Sequence, residues 1–313
     1  MYGDIKLLAG SGCPDLAQKI ADYINVPLSH WEIIEFPNEN LFVRLHGSVR
    51  GQDVYLIQTH ARPLHRNVME MLIAIDCLKR DSAGRITVVV PYMAYSQSDK
   101  KDQPRVPITS RLLADLIEVA GADRWITIDL HSAQIQGFYK IPGDSLTAFH
   151  TLVDYFQRKS LDAVVVTPDL GFAKRGRNYA AALDVPLAFV EKRRLSNDSR
   201  REALNLIGDV REKDVIIVDD LVDTAGSTQV AVNLVKSLGA RDVYVAFTHP
   251  VFSGPAMERL RDLPIKEIVT TDTLPIPSEK MLPNITVLSM APLLGEVIVR
   301  THEGRSVGEL FDE

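Results

Sequence analysis

Cysteine is scarce in this chain, and long apolar runs are missing. With only Cys13 and Cys77 among 313 residues, a disulfide framework like that of small secreted domains is excluded. No apolar run approaches the ~18–20 residues that a membrane-spanning helix needs. The first residues show no basic segment followed by an apolar stretch, so we expect no signal peptide and no membrane partner. These features predict a cytoplasmic protein.

The chain also lacks an excess of positive charge. Its formal net charge is −6 at pH 7, which argues against a general affinity for nucleic acid. Hydrophobic residues make up 46% of the sequence and charged residues 24%, the balance of a globular protein with a substantial core. At roughly 100–200 residues per domain, the length predicts two domains.

Short apolar runs rich in β-branched residues alternate with amphipathic stretches. Most runs are continuously apolar, as in strands buried on both faces of a parallel sheet. The alternation predicts an α/β fold in which mostly parallel sheets are flanked by helices. The predicted strands are 5–9, 53–58, 86–91, 125–129, 162–167, 186–190, 214–218, 242–247, 266–271 and 285–288, and the predicted helices are 14–24, 65–80, 107–120 and 226–238.

The strand–helix pattern runs once to about residue 145 and again to about residue 290. The segment 139–147 contains Pro and Gly without clear periodicity, so we place a boundary there and predict two tandem domains, 1–145 and 146–313. The last residues are typical of a terminal helix and a capping segment that can pack on the N-terminal domain. Ligands of open parallel sheets bind beyond the carboxyl ends of the strands, so chemistry is expected there.

One strand end carries an unusual density of carboxylates and hydroxyls. The apolar strand 214–218 is followed by three aspartates within five residues, then by small residues and a predicted helix. Backbone N–H groups and hydroxyls at a helix N-terminus can hold a phosphate monoester, and neighbouring carboxylates can accept hydrogen bonds from two sugar hydroxyls. The alternative is an acidic turn with an ordinary Ser or Thr helix cap, but three aspartates exceed what a cap needs. The segment predicts a site for a phosphorylated ribose.

This segment carries a resemblance to a known family. DDLVDTAGST (219–228) after an apolar strand is similar to the loop that binds 5-phosphoribosyl 1-pyrophosphate (PRPP) in type I phosphoribosyltransferases and in ribose-phosphate pyrophosphokinases. Other segments resemble the pyrophosphokinases, over nearly the whole chain. These segments are RVPIT (105–109), DLH (129–131), QIQGF (134–138), TPDLG (167–171), EKRR (191–194), THPVFSG (248–254) and SVGELF (306–311).

The resemblance implies two tandem phosphoribosyltransferase-like domains, the first on the nucleotide side and the second on the ribose 5-phosphate side. It also implies a magnesium-dependent enzyme that transfers the pyrophosphoryl group of ATP to the anomeric hydroxyl of ribose 5-phosphate and releases AMP. His131 and Asp169 are the implied metal ligands, and Asp129 would present a second group beside His131. The implied ribose 5-phosphate ligands are Asp169, Asp219, Asp220, Asp223, Thr224, Ala225, Gly226, Ser227 and Thr228.

The segment 191–202 is rich in basic residues and shows neither helical nor strand periodicity. Its plain interpretation is a solvated surface loop. The resemblance instead implies a lid that closes over the phosphates and excludes water. Lys192 and Arg194 are then catalytic residues that stabilise the transition state, together with His131.

The nucleotide side departs from the family pattern. Asn40 stands where the family typically has Glu, and Gln97 and Ser98 replace an Arg and a Gln that contact the nucleotide. Gln for Arg removes a planar charged donor. Three interpretations follow: ATP in a rearranged pocket, another nucleotide donor, or a non-catalytic partner subunit. The implied ATP-binding residues are Phe36, Asn38, Asn40, Gln97, Ser98, Asp99, Lys100 and His131.

Assembly and regulation are implied by the resemblance alone. In the family, the region of Phe36 serves the active site of a neighbouring subunit, and the usual assembly is a hexamer, so a homo-oligomer is expected. Ser48, Arg50, Arg80 and Ser82 match positions that bind phosphate or ADP at a regulatory site. The two arginines are equally compatible with ordinary surface cations.

Overall fold

The structure, a computed structural model, describes residues 2–194 and 202–310. The chain divides into two compact units. Among the described residues, unit 1 contains 2–147, 273–275 and 289–310, and unit 2 contains 148–272 and 276–288. No helix within these residues is long and apolar enough to cross a membrane.

Unit 1 is a parallel sheet with helices and one added hairpin. Its first elements, in chain order, are β1 (Ile5–Ala9), α1 (Pro14–Ile24), β2 (Trp31–Glu35), β3 (Leu41–Leu45), β4 (Asp53–Ile57), α2 (Leu64–Arg80), β5 (Arg85–Val90), α3 (Thr109–Ala120), β6 (Arg124–Ile128) and β7 (Gly143–Leu146). The sheet order is β1-β4-β5-β6-β7, and every neighbouring pair is parallel. β2 and β3 pair only with each other, as an antiparallel hairpin.

Unit 2 is a seven-stranded sheet flanked by helices. Its elements are α4 (Phe149–Gln157), β8 (Ala163–Thr167), α5 (Ala173–Leu183), β9 (Leu187–Arg194), β10 (Glu202–Ile207), β11 (Asp214–Val222), α6 (Gly226–Ser237), β12 (Val243–Pro250), α7 (Ala256–Asp262), β13 (Glu267–Thr271) and β14 (Ile285–Leu288). The order is β10-β9-β8-β11-β12-β13-β14, parallel except for the pair of β9 with β10. β8, β11 and β12 are buried along nearly their whole length, as expected for strands covered on both faces.

The last helix, α8 (Ala291–Glu303), belongs to unit 1. It approaches α1 closely at Gly295. Any larger residue there would clash, since a Cβ at this position would lie 2.5 Å from the ring of Tyr23. Buried Asp53, at the start of β4, contacts both Nδ1 of His302 at 2.8 Å and the guanidinium of Arg85 at 2.6 Å. These contacts tie the end of α8 to the sheet of unit 1.

The α/β fold expected from the sequence is confirmed, and all ten predicted strands are present. Two local expectations are wrong. β11 runs to Val222, so Asp219 and Asp220 lie inside the strand rather than after it. The segment 191–202, predicted to lack strand structure, contains the end of β9 and the start of β10, while its residues 195–201 lie outside the described part of the chain.

Candidate functional site

The strand order of unit 2 reverses between β8 and β11. From β8 the chain continues to its neighbour β9 on one side, and from β11 to its neighbour β12 on the other side. Ligands of open α/β sheets bind at the carboxyl ends of the strands where such a reversal opens a crevice. Asp169 follows β8, and the acidic segment 219–228 lies at the end of β11, with Ile217 paired with Val166 in the parallel register. The topology therefore brings Asp169 and the acidic segment together.

Two adjacent carboxylates lie at the start of this crevice, and the charge of a third, Asp169, acts on one of them. The side chain of Asp220 is buried and that of Asp219 half-buried, and the Asp220 N–H donates to Oδ1 of Asp219 at 2.9 Å. Burial raises the pKa of the Asp219 carboxyl well above its usual value, and the charges of Asp220 and Asp169 raise it further. The crevice thus places acidic side chains close together where they are partly buried, which favours a cation or hydroxyl donors as ligands.

Residues after β12 and on α7 hold the next part of the loop. The Ser253 hydroxyl donates to Oδ1 of Asp223, and the Ser253 N–H donates to the Asp223 carbonyl at 2.9 Å. The Arg259 guanidinium donates to the carbonyl of Thr224 at 2.8 Å. Sequence reasoning missed both supporting residues, although Ser253 lies in the quoted segment THPVFSG. Ser253 could have been predicted from its position, because it lies just past the carboxyl end of another parallel strand.

The N-terminus of α6 completes the loop. The cap residue is Ala225, in the left-handed conformation at φ 59°, and no described side chain forms a cap hydrogen bond there. The alternative of an ordinary Ser or Thr cap is therefore wrong for this helix. The first-turn N–H groups, at Gly226 to Thr228, have no partner within the helix, and Thr224 and Ser227 are exposed beside them. This arrangement suits a phosphate.

Alanine is tolerated at position 225 because two effects offset each other. A left-handed residue with a Cβ costs about 1–2 kcal/mol relative to glycine. The methyl group of Ala225 is 3% exposed and packs in the core of unit 2, and burying one methyl group contributes roughly 0.8 kcal/mol. A glycine would relieve the strain and lose the contact, so the small-residue requirement of the loop is met by either residue.

Asp219→Asn is expected to raise the melting temperature of the ligand-free protein at pH 7. The raised pKa means that the folded state binds a proton more readily than the unfolded state, so stability falls as pH rises from the unfolded value toward the folded one. The amide removes that loss. Since about 1 kcal/mol corresponds to roughly 2–4 °C in a protein of this size, a gain of a few degrees should be seen by differential scanning fluorimetry.

The pH dependence of this gain identifies its cause. The difference between Asp219→Asn and the unmodified protein should shrink as the pH falls below 3.8, the ordinary pKa of this carboxyl, because it then becomes protonated in the unfolded state as well as in the folded one. Asp242→Asn is the control, because Asp242 is partly exposed and paired with Lys266 at 2.5 Å, so removing its charge should give no gain. A lower melting temperature for Asp219→Asn at pH 7 would contradict crowding of the carboxylates.

In unit 1, the predicted pair Asp129 and His131 differs in burial. Asp129 is buried, has φ 42°, and accepts a hydrogen bond from Oγ1 of Thr147 at 3.0 Å. His131 is exposed, three residues past the end of β6. The expectation that the two side chains are presented together stays a prediction. Asp129 contributes to the structure at the end of β6 through its bond with Thr147, and His131 lies at the surface of unit 1.

The β2–β3 hairpin presents three of the predicted nucleotide residues. Phe36, Asn38 and Asn40 are all exposed on its five-residue loop. The loop is closed by hydrogen bonds from the Phe36 N–H to the Asn40 carbonyl at 2.9 Å and from the Asn40 N–H to Oδ1 of Asn38 at 3.2 Å. With Phe36 45% exposed, the loop offers an aromatic ring and two amides to a ligand.

The second set of nucleotide candidates lies between β5 and α3. Gln97 and Lys100 are exposed there and Asp99 is half-buried. Ser98 organises the start of α3, because its Oγ accepts the Thr109 N–H at 3.3 Å. Ser98, a predicted nucleotide-binding residue, therefore also has a role in the local structure of this chain.

Lys192 and Arg194, the predicted lid residues, lie near the end of β9. Their backbone pairs antiparallel with β10, the edge strand of the sheet, with Lys192 opposite Leu204 and Arg194 opposite Glu202. The two positions thus belong to a two-stranded ribbon that leads into residues 195–201, beyond the described part.

The four predicted regulatory residues fall in one region of unit 1. The Arg50 N–H donates to Oγ of Ser48 at 3.3 Å, and the backbone of Arg50 bridges residue 83, next to Ser82. Ser48 and Arg80 both line a surface cavity of about 800 Å³ beside the hairpin. The side chain of Arg80 is exposed at its rim.

Comparisons with known proteins agree along the whole chain. A family model described as the N-terminal domain of ribose phosphate pyrophosphokinase matches residues 5–121, and one described as the phosphoribosyl synthetase-associated domain matches residues 194–312. A ribose-phosphate pyrophosphokinase of Caldanaerobacter subterraneus is 46% identical over 309 residues, covering 98% of each chain. One from Bacillus subtilis is 42% identical, covering 99% of this chain and 98% of its own.

A solved structure is similar in fold over nearly the same length. The crystal structure of phosphoribosylpyrophosphate synthetase from Mycobacterium smegmatis superposes with a TM-score of 0.91 at 42% identity. The match covers 96% of this chain and 99% of that one. Both units therefore have counterparts in one relative.

Proposed function

The chain belongs to the ribose-phosphate pyrophosphokinase family, and from this premise we propose that it transfers the pyrophosphoryl group of ATP to the anomeric hydroxyl of ribose 5-phosphate, giving PRPP and AMP. The observation that carries the proposal is the crevice at the strand-order reversal of unit 2, where crowded carboxylates precede a helix start without a side-chain cap. Similarity to enzymes along 98% of their length favours catalysis over a non-catalytic partner subunit. The same coverage disfavours a single-domain phosphoribosyltransferase.

The loop would bind both ends of ribose 5-phosphate. Asp220 and Asp223 accept hydrogen bonds from the sugar hydroxyls, because ionised carboxylates are acceptors only. The N–H groups at Gly226 to Thr228, with the hydroxyls of Thr224 and Ser227, donate to the 5-phosphate. The anomeric hydroxyl then attacks the β-phosphorus of ATP, with the bond to AMP breaking in line.

The acidic side chains of the crevice fit a magnesium ion in type. Magnesium prefers a few carboxylates together with waters and substrate phosphates, and within the described residues no three His, Cys, Asp or Glu side chains converge as a ready metal site. The crowding that raises the pKa of Asp219 is the kind of environment that a divalent cation relieves. We propose that Asp169 binds magnesium on the ribose side and His131 on the nucleotide side. The ion, when bound, neutralises charge on the phosphate oxygens.

We further propose that Phe36, Asn38 and Asn40, with residues 97–100, bind the nucleotide. An exposed aromatic ring flanked by amides can stack on and hydrogen-bond to a base. By resemblance we propose a homo-hexamer in the cytoplasm. In this assembly the loop would contribute to the active site of a neighbouring subunit. Phosphate or ADP is proposed to bind at Ser48, Arg50, Arg80 and Ser82.

The reaction itself tests the proposal. Purified protein incubated with ATP, magnesium and ribose 5-phosphate should form AMP and PRPP in equal amounts, which chromatography with mass detection measures. A parallel panel of ADP, GTP and CTP determines the donor, which the replacements at Asn40, Gln97 and Ser98 leave open. Turnover with another nucleotide but not with ATP would show that this other nucleotide is the donor. Binding without turnover for every donor would establish a non-catalytic subunit.

Arg259→Met is expected to weaken ribose 5-phosphate binding by about five- to tenfold. Arg259 fixes the Thr224 carbonyl at 2.8 Å, and a typical net hydrogen-bond contribution of about 1 kcal/mol gives an effect of this size. Isothermal titration calorimetry measures the dissociation constant. Arg261→Met, on the same helix but exposed, is the matched control and should change binding by less than about twofold. Equal effects of the two variants would remove the role given to Arg259.

A further inference from the structure

A fully buried carboxylate lies at the centre of a polar network in unit 1. Glu70, on α2, has no exposed surface, and its oxygens accept hydrogen bonds from the Ser11 N–H at 2.7 Å, from Nε2 of Gln58 at 3.0 Å and from Nη1 of Arg66 at 2.7 Å. A buried charge is tolerated only when donors of this kind surround it. Glu70 therefore holds the segments that follow β1 and β4 and also fixes the guanidinium of Arg66.

Arg66 extends this network to the hairpin. While Nη1 contacts Glu70, Nε donates to Oε2 of Glu35 at 2.7 Å. Glu35 is the last residue of β2, directly before the loop that begins at Phe36. The side chain of Arg66 is 28% exposed and that of Glu35 is 45% exposed, so the Arg66 end of the pair is partly shielded from water while the Glu35 end is open to it.

A cavity of about 690 Å³ lies between the loop and α2. Glu39 and Asn40 line it from the loop, and Met69 and Ile73 line it from the helix. Since the loop side chains do not fill this space, apolar packing alone does not fix the position of the loop against α2. Glu35 and Arg66 lie on the cavity wall and join its two sides.

We propose that Arg66 is a positioning residue for the loop Phe36–Asn40, and that through Glu35 it sets how tightly the loop grips the nucleotide. The inference rests on the proposed function, which assigns the loop to nucleotide binding. The planar fork of an arginine donates to two carboxylates in fixed directions, whereas the three donors of a lysine rotate on a flexible stem and do not hold such a geometry. One carboxylate is buried and immobile, so the direction of the second bond is preset.

The test separates the loop side of the network from the buried side. Glu35→Ala breaks only the bond to the loop and leaves the bond from Arg66 to Glu70 in place. We expect the KM for ATP to rise by about three- to tenfold and the KM for ribose 5-phosphate to stay within about twofold. The melting temperature should stay within a few degrees, because Glu35 is exposed.

Arg66→Met and Arg66→Lys complete the comparison. The methionine leaves Glu70 short of a donor, so it should lower the melting temperature as well as raise the KM for ATP. The lysine can still neutralise Glu70, so it should restore stability but not the KM. The double variant Glu35→Ala with Arg66→Met should raise the KM for ATP no further than Arg66→Met alone, since both changes break the same link.

Arg111→Met is the control, because Arg111 forms its ion pair within α3, with Asp115 four residues later. It should leave both KM values unchanged. An unaltered KM for ATP in Glu35→Ala and Arg66→Lys would overturn the proposal, as would equal shifts for both substrates. Failure of the proposed function is distinguishable, because then the unmodified protein itself forms no PRPP.

Discussion

Lys192→Ala and Arg194→Ala are each expected to lower kcat for PRPP formation by about 10²–10³, the usual loss when a group that stabilises transition-state charge is removed. Phosphoryl-type transfer depends on aligning the nucleophile and neutralising charge on the phosphate oxygens rather than on covalent chemistry by the protein. A cation that closes over the phosphates only as the reaction proceeds acts on the transition state. The KM for ribose 5-phosphate should therefore change by less than about threefold.

A cation of unit 2 that lies outside β9 serves as the control for both variants. Lys213 is also a cation of unit 2, but it is partly exposed and paired with Asp162 at 2.7 Å, before β11. Lys213→Ala should leave kcat within about twofold, as expected for a surface ion pair. Steady-state rates under saturating ATP and ribose 5-phosphate give the comparison. Unchanged kcat in both lid variants would remove the assignment of a lid.

Asp220→Ala and Asp223→Ala are expected to raise the dissociation constant for ribose 5-phosphate by about 10- to 100-fold. Hydrogen bonds to charged groups contribute roughly 1.5–3 kcal/mol, and each variant removes the acceptor of a sugar hydroxyl. Asp220 is buried and Asp223 is already oriented by Ser253. Water therefore competes little with the sugar hydroxyls for these carboxylates, and the loss of affinity should be close to the full value. Calorimetry with the unmodified protein and both variants measures the change.

Comparing ribose 5-phosphate with 2-deoxyribose 5-phosphate sharpens this experiment. The unmodified protein should prefer ribose 5-phosphate, because the deoxy sugar leaves a buried acceptor without its donor. The variant that loses the acceptor of the 2-hydroxyl should lose most of that preference, while the other keeps it. If neither variant alters the affinity or the preference, the carboxylates do not bind the sugar hydroxyls.

The sequence predicted the strands of both sheets because they are continuously apolar and buried. The strands that it missed have weaker patterns: β2 and β3 are half-exposed along most of their length, and β7 has four residues. β10 follows the basic segment whose composition indicated a surface loop. A two-stranded hairpin with a solvent-facing side shows neither a continuous apolar run nor a helical period.

The acidic loop could be predicted because its chemistry is contiguous in sequence, from Asp219 to Thr228. Its supports could not, because they come from distant positions. Arg259 reaches Thr224 across 35 residues, and Arg66 reaches Glu35 across 31. A long polar side chain shows no periodicity that identifies its partner, so only the packing of the elements reveals such contacts.

The position of α8 has a consequence for how the protein is made. A ribosome delivers residues in order, so the sheet of unit 1 emerges first, then all of unit 2, and only then the helix that covers α1 and contacts Asp53 through His302. Unit 1 is therefore the first unit whose synthesis begins and the last to receive all its elements. A nascent chain that stops after β14 would hold a complete set of unit 2 strands, while the earlier sheet would still expose the surface awaiting its final helix.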